Sequence, residues 1–117
     1  FLVGNLFNAF SLISSKSNLP KNILRQTTQS ALNNVFKLSP AKALSGPIDR
    51  GDIYTIKKHL EALDDEIKKS KNNRIKLLKK NYIIQSLLLL DVVREKYGIL
   101  KRQHLQIKKI LLKELNS

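Results

Sequence analysis

The sequence contains no cysteine, so neither a disulfide framework nor a thiolate metal site can be built from it. That absence fits a reducing compartment, and a cytoplasmic location is expected. Only two histidines occur, His59 and His104, so metal chemistry would have to rest mainly on the nine carboxylates. The densest acidic group, Asp64, Asp65 and Glu66, occupies adjacent positions that point in different directions on a helix, so no convergent ligand set is seen and no metal is expected. Long apolar runs are also missing. The longest, Tyr82 to Val93, is interrupted by Gln85, Ser86 and Asp91 and is too short to cross a hydrocarbon core of about 30 Å. There is no glycine-rich dinucleotide loop, no Walker loop, no G-x-S-x-G elbow and no H-E-x-x-H helix. Taken alone the chain is catalytically incomplete.

The 117 residues suffice for one hydrophobic core but not for a nucleotide-binding domain plus a substrate domain. The first residue is Phe1 rather than methionine, and "FLVGNLFNAFSLIS" has an apolar run without the basic n-region of a signal peptide. It reads as a helix from within a longer protein.

Charge is the most lopsided property. A net charge of +13, from 22 lysines and arginines against nine acids, suits nucleic acid or an anionic surface. The cations are spread along "KKHLEALDDEIKKSKNNRIKLLKK" and "KRQHLQIKKILLKEL" without interleaved aromatics, as on solvated helix faces. A basic helical self-association or nucleic-acid-binding module without enzymatic activity stands as the alternative reading.

Apolar spacing predicts helices throughout, with no alternating strand and no repeat. Leu2, Val3, Leu6, Phe7, Phe10 and Ile13 form a stripe over residues 2–15. After the break "SSKSNLP", Pro20 suits the first turn of a second helix, with Asn18 or Leu19 at its start, and Ile23, Leu24, Thr27, Ala31, Leu32, Val35 and Phe36 continue it until Pro40. A third helix follows Asp52 as N-cap, with Ile53, Ile56, Leu60 and Leu63 inside. Asp64 to Asn73 reads as a polar linker or frayed end and as the mobile part. A helix apolar on all sides, hence central and buried, spans about Arg74 to Tyr97 and is closed by Gly98. The last helix has Leu105, Ile107, Ile110, Leu111 and Leu115 apolar. The fold class is all-α: a single-domain bundle of about five helices around the helix 74–97.

One stretch is more elaborate than a helix start requires. In "ALSGPIDRGDIYTIKKHLEAL" two glycines, a proline, an arginine and two aspartates crowd into seven residues before an amphipathic run. Gly46 and Gly51 permit backbone angles or close approaches that a side chain forbids, Pro47 stiffens the turn and Asp52 caps the next helix. Such a loop can hold backbone amides and Arg50 toward a ligand.

"LSGPIDRGD" followed by "HLEAL" resembles the pattern L-[ST]-G-P-x-x-R-G-D…H-L-x-A-L of the helical C-terminal domain in Rossmann-like, NAD(P)-dependent oxidoreductases of unassigned substrate. These group with the pyrroline-5-carboxylate reductases and the wider 6-phosphogluconate dehydrogenase C-terminal-like superfamily. The shared positions are Gly46, Pro47, Arg50, Gly51, Asp52, His59 and Leu60. "FLVGNLFNAF" is similar to the family's S-N-x-x-x-x-L, with Gly4 and Asn5 in place of Ser and Asn. The resemblance covers Phe1 to Leu63; the segment after Leu63 is longer and more basic than the family's, and the helix Gln103 to Leu115 extends past it.

The resemblance implies an upstream Rossmann domain that binds NAD or NADP, with residues 1–117 completing the substrate pocket and mediating a homodimer; no cofactor is expected for this domain alone. It implies catalytic roles for Ser45, as a pocket hydroxyl, and for Asn5, as a pocket amide that orients a substrate oxygen or carboxylate, with a substrate-binding loop at Gly46 and Pro47. Arg50 would bind a substrate carboxylate through a bidentate pair. Alternatively Arg50 pairs with Asp49 or Asp52 and braces the turn, and Asn5 is an amide bonded to a neighbouring helix. Asn8 is either a polar neighbour in the same pocket or a polar spot on the helix. Gly51 and Asp52 form the structural cap. His59 lies two turns beyond Asp52, about 10 Å along the axis, which favours a structural role over a chemical one.

Overall fold

A computed structural model describes residues 1–6, 21–70 and 73–117 of the chain. All regular structure among them is helical, and they divide into two compact units, Phe1–Ser39 and Pro40–Ser117. The bundle is all-α, as the spacing predicts. No helix among the described residues is long and apolar enough to cross a membrane.

In the first unit residues 2–6 are helical (α1) and α2 spans Lys21–Leu38. Phe7, Asn8, Phe10 and Ile13, the break before Pro20 and the helix start at Asn18 to Pro20 lie outside the described residues. Helix α2 stops before Ser39, which takes a positive φ of 121° ahead of Pro40. The apolar positions of α2 are largely exposed. Ile23, Leu32 and Val35 are exposed and Phe36 is 84% exposed, with only Leu24 half-buried among the large apolar positions of that stripe. Periodicity identifies a face fit for burial; it does not say what covers it.

The second unit holds α3 (Pro40–Ala43), α4 (Pro47–Arg50), α5 (Ile53–Lys69), α6 (Asn73–Tyr97) and α7 (Arg102–Leu115). Helix α6 is central and packs against α3, α4, α5 and α7. Ile56 and Leu60 from α5, Ile83, Leu90 and Val93 from α6, and Ile107 and Leu111 from α7 form the core, with Ile48 and Leu100 closing it. Each such side chain contributes roughly 1.5–3 kcal/mol of burial.

Three expectations need correction. Asp64 to Lys69 is not a linker: α5 continues to Lys69, with Ser70 as its C-cap. Lysine and glutamate are good helix formers, Leu63 is buried, Ile67 is half-buried, and Lys68 and Lys69 complement the negative end of the helix. Nor is α6 buried on all sides, because Leu77, Ile84 and Leu88 are 64%, 47% and 54% exposed. In α7 Leu105 is exposed while His104 is buried.

The three long helices are clamped by one cation. Lys79 Nζ on α6 donates to Asp64 Oδ1 on α5 and to Glu114 Oε2 on α7, both at 2.7 Å. Its side chain is 14% exposed, so water screens it little. Burial opposes its charge, but the two carboxylates outweigh that and raise its pKa above the ordinary 10.5.

Lys79→Met should cost about 1–2 kcal/mol in denaturant unfolding, whereas Lys58→Met, at an exposed pair with Glu61, should cost under about 0.5 kcal/mol. Because the folded pKa of Lys79 is raised, its contribution is whole below pH 10.5 and fades as pH rises through the folded value. The variant should lack that alkaline decline.

Candidate functional site at the elbow

The segment Leu44 to Asp52 is more ordered than a loop. Pro47 opens the single turn α4 with its preset φ, and Gly46 before it takes φ 104° and ψ −170°, a region closed to other residues. Gly51 after it is left-handed at φ 68°. The amide of Asp52 donates to Pro47 O at 2.9 Å and that of Gly51 to Ile48 O at 3.2 Å, which is a Schellman closure. Asp52 then starts the next helix: Oδ1 accepts from Thr55 N at 3.1 Å and Oδ2 from the Thr55 hydroxyl at 2.7 Å. Those two bonds, with a smaller effect of Arg50, hold the Asp52 carboxyl below the ordinary aspartate range.

Beneath the turn lies an anchor that sequence reasoning missed. Asp49 accepts from Lys96 Nζ at 3.1 Å through both oxygens and from the Tyr97 hydroxyl at 2.9 Å. Lys96 also donates to Leu44 O at 2.8 Å, so it ties both limbs of the elbow to the end of α6. Burial opposes the Lys96 charge, yet Asp49 and Tyr97 leave its pKa raised. His104, 3% exposed at the start of α7, is 2.9 Å from Asp49 O through Nε2, while its Nδ1 accepts from Lys101 N at 3.2 Å. A carbonyl on one side and an N–H on the other fix the tautomer with the proton on Nε2. One signal could have found it, since His104 lies three residues before Ile107 on the inner face of α7.

The cap glycine explains how α7 comes so close. Gly51 is buried, and a Cβ there would stand 2.9 Å from Gln103 Cβ and 3.4 Å from His104 Nε2. At Gly46 a Cβ would meet nothing within 4 Å, so the backbone angle alone demands glycine there.

Along the elbow Ser45 and Arg50 are exposed, and Gly46 and Pro47 between them in sequence are half-buried. The Arg50 side chain is 61% exposed, and its closest approach to Asp52 is 3.7 Å. An exposed pair of that length is a weak brace. Asp49 does not pair with Arg50; it is taken by Lys96. Asn5 is exposed on α1 in the first unit, and Asn8 lies outside the described residues. His59 is exposed and shares a 3.0 Å hydrogen bond between Nδ1 and the Tyr82 hydroxyl, with the rings edge to face at 5.8 Å. Burial pushes the Tyr82 phenol up to about 12, against a smaller effect of Ser86. His59 is thus tied to α6. Among the described residues no group of three or more His, Asp and Glu could hold a metal ion.

The chain belongs to the family described as Domain of unknown function (DUF2520), whose sequence model matches residues 2–73. That match takes in the whole elbow and α5 and stops at the first residue of α6. No curated protein and no solved structure matches the chain.

Gly51→Ala should lower stability by at least about 2 kcal/mol in denaturant unfolding, from the left-handed angle and the Gln103 contact together. Acid titration should separate the cap. With its folded pKa depressed, Asp52 contributes above pH 3.8 and the contribution disappears as pH falls through the folded value. An Asp52→Ala variant should show a shallower acid limb.

Proposed function

We infer that the chain is the helical C-terminal domain of an NAD(P)-dependent oxidoreductase, where it completes the substrate pocket and mediates dimerisation. The observation that carries this reading is the elbow, rigidly mounted from below yet presenting Arg50 and Ser45 outward. A turn needed only to start α5 has no use for an anchored base, two positive-φ glycines and a largely unspent guanidinium. Its sequence supports the same reading through the resemblance of "LSGPIDRGD…HLEAL" to the substrate-side domain of Rossmann-like reductases.

In this reading Arg50 holds a substrate carboxylate by two parallel N–H donors, and Ser45 supplies a hydroxyl beside it. NAD or NADP supplies the hydride and is bound mainly by an upstream dinucleotide domain. The described residues suit the substrate side, because a pyrophosphate cradle is built on a strand, a glycine-rich turn and a helix, and they contain no strand. Self-association is supported by Phe1, Leu2 and Val3, all strongly exposed, and by the uncovered stripe of α2.

The test is made in the complete protein, following NADPH or NADH consumption with carboxylate-bearing imines and carbonyls. Arg50→Lys keeps the charge but loses the fork, so KM should rise on the order of tenfold while Tm stays put. Asp52→Ala should lower Tm and leave KM nearly unchanged. If Arg50→Lys lowers Tm as much as Asp52→Ala and KM does not move, the arginine is a brace and the pocket reading fails.

A further inference from the structure

Helices α6 and α7 form an antiparallel hairpin. They are joined by the short connection at 98–101 and clamped at the far end by Lys79 and Glu114. On one side of this hairpin the apolar pattern does not stop at the core. Leu77, Ile84 and Leu88 on α6, and Leu105 and Leu112 on α7, recur at spacings of four and seven residues, which keeps each set on one stripe. They are 64%, 47%, 54%, 53% and 40% exposed. Between the two helices runs an open groove of about 260 Å³, floored by Leu87, Leu90 and Leu100. Its charged lining residues among those described are Asp91 on α6 and Lys108 on α7.

That charge pattern is what selects the occupant. In a chain of net charge +13, most surfaces repel a second copy of themselves. A two-fold contact sets each patch against itself, so it tolerates only a patch that is close to neutral and carries its charges as an exchangeable pair. The groove lining meets both conditions. A two-fold axis running along the groove places α6 of each copy over α7 of the other, which brings Asp91 opposite the partner's Lys108 twice. The Asp91 side chain is 70% exposed, and among the described residues its ion-pair partner is Arg94 at 3.9 Å, so it is available for such a pair.

We propose that this face of the α6–α7 hairpin is the homodimer interface, two hairpins closing into a four-helix bundle with Ile84, Leu88 and Leu112 at its centre. The proposal rests on the dimerisation part of the function inferred above and names its surface. It makes the stripe of α2 a competing site, not the primary one.

Sedimentation equilibrium in moderate salt tests it, with circular dichroism to confirm that each variant is folded; the substituted side chains are exposed or at the rim. The protein should be a dimer at high micromolar concentration, and Leu88→Glu should weaken it at least about tenfold. Asp91→Lys alone places cations opposite one another and should weaken it as well, whereas Asp91→Lys combined with Lys108→Asp should restore most of the affinity, because the exchanged pair is again complementary. A dimer indifferent to these changes and lost in Phe36→Glu would overturn the assignment of this face while leaving dimerisation intact. A folded monomer throughout would overturn dimerisation itself.

Discussion

The elbow depends on one buried carboxylate. Asp49, with its side chain only 12% exposed, is held by the Lys96 ammonium and the Tyr97 hydroxyl, and its own carbonyl meets His104. A helix of one turn has no stability of its own, because nucleation fixes several residues for a single hydrogen bond. Helix α4 exists because tertiary contacts grip it from the end of α6 and the start of α7. Removing one partner would leave the other charge half-buried and unmatched, which costs more than the pair contributes when whole.

From this anchor the division of labour along the segment follows. Ile48, Asp49 and Gly51 turn inward, to the core, to Lys96 and to the backbone approach of α7 respectively. Asp52 is spent on the cap. What remains is Ser45 and Arg50, pointing to solvent from a backbone that cannot easily move. Precision at a site comes from such support, since side chains on an unsupported loop sample many positions. The crowding of two glycines, a proline and two aspartates is therefore accounted for by the needs of mounting, and the arginine is the residue left over.

Legibility in the sequence was uneven for physical reasons. The Asp52 cap, the positions of α5 and α6 and the Gly98 stop were readable because capping, periodicity and glycine closure act over a few residues. Gly98 takes φ 80° and its amide donates to Arg94 O at 2.7 Å, as the reading of that position requires. The roles of Asp49, Lys96 and Tyr97 were not readable, since their bonds join residues 47 and 48 positions apart. The same limit explains why Asp64 to Lys69 reads equally as a linker or a helix end. A lysine-rich run looks like a linker until the partner that holds it, Lys79 on the next helix, is known. For the outer side of α6 the pattern identifies apolar residues but not what covers them: Leu77, Ile84 and Leu88 are exposed where the pattern predicts burial.

The charge excess also acquires a structural meaning. No acidic residue precedes Asp49, so the nine carboxylates are confined to the second unit. There Asp49 joins α4 to α6, while Asp64 and Glu114 join α5 and α7 to the same helix through Lys79. Three of the nine acids thus stand at joints between helices while others, such as Glu61 and Asp91, are exposed, and lysines on outward faces can lay their long stems over apolar surface while the ammonium stays in water. A net charge of +13 discourages contact between like copies except where charge is locally balanced. In the homodimer proposed above, that constraint favours the α6–α7 groove, where an acid and a lysine stand across the same apolar lining.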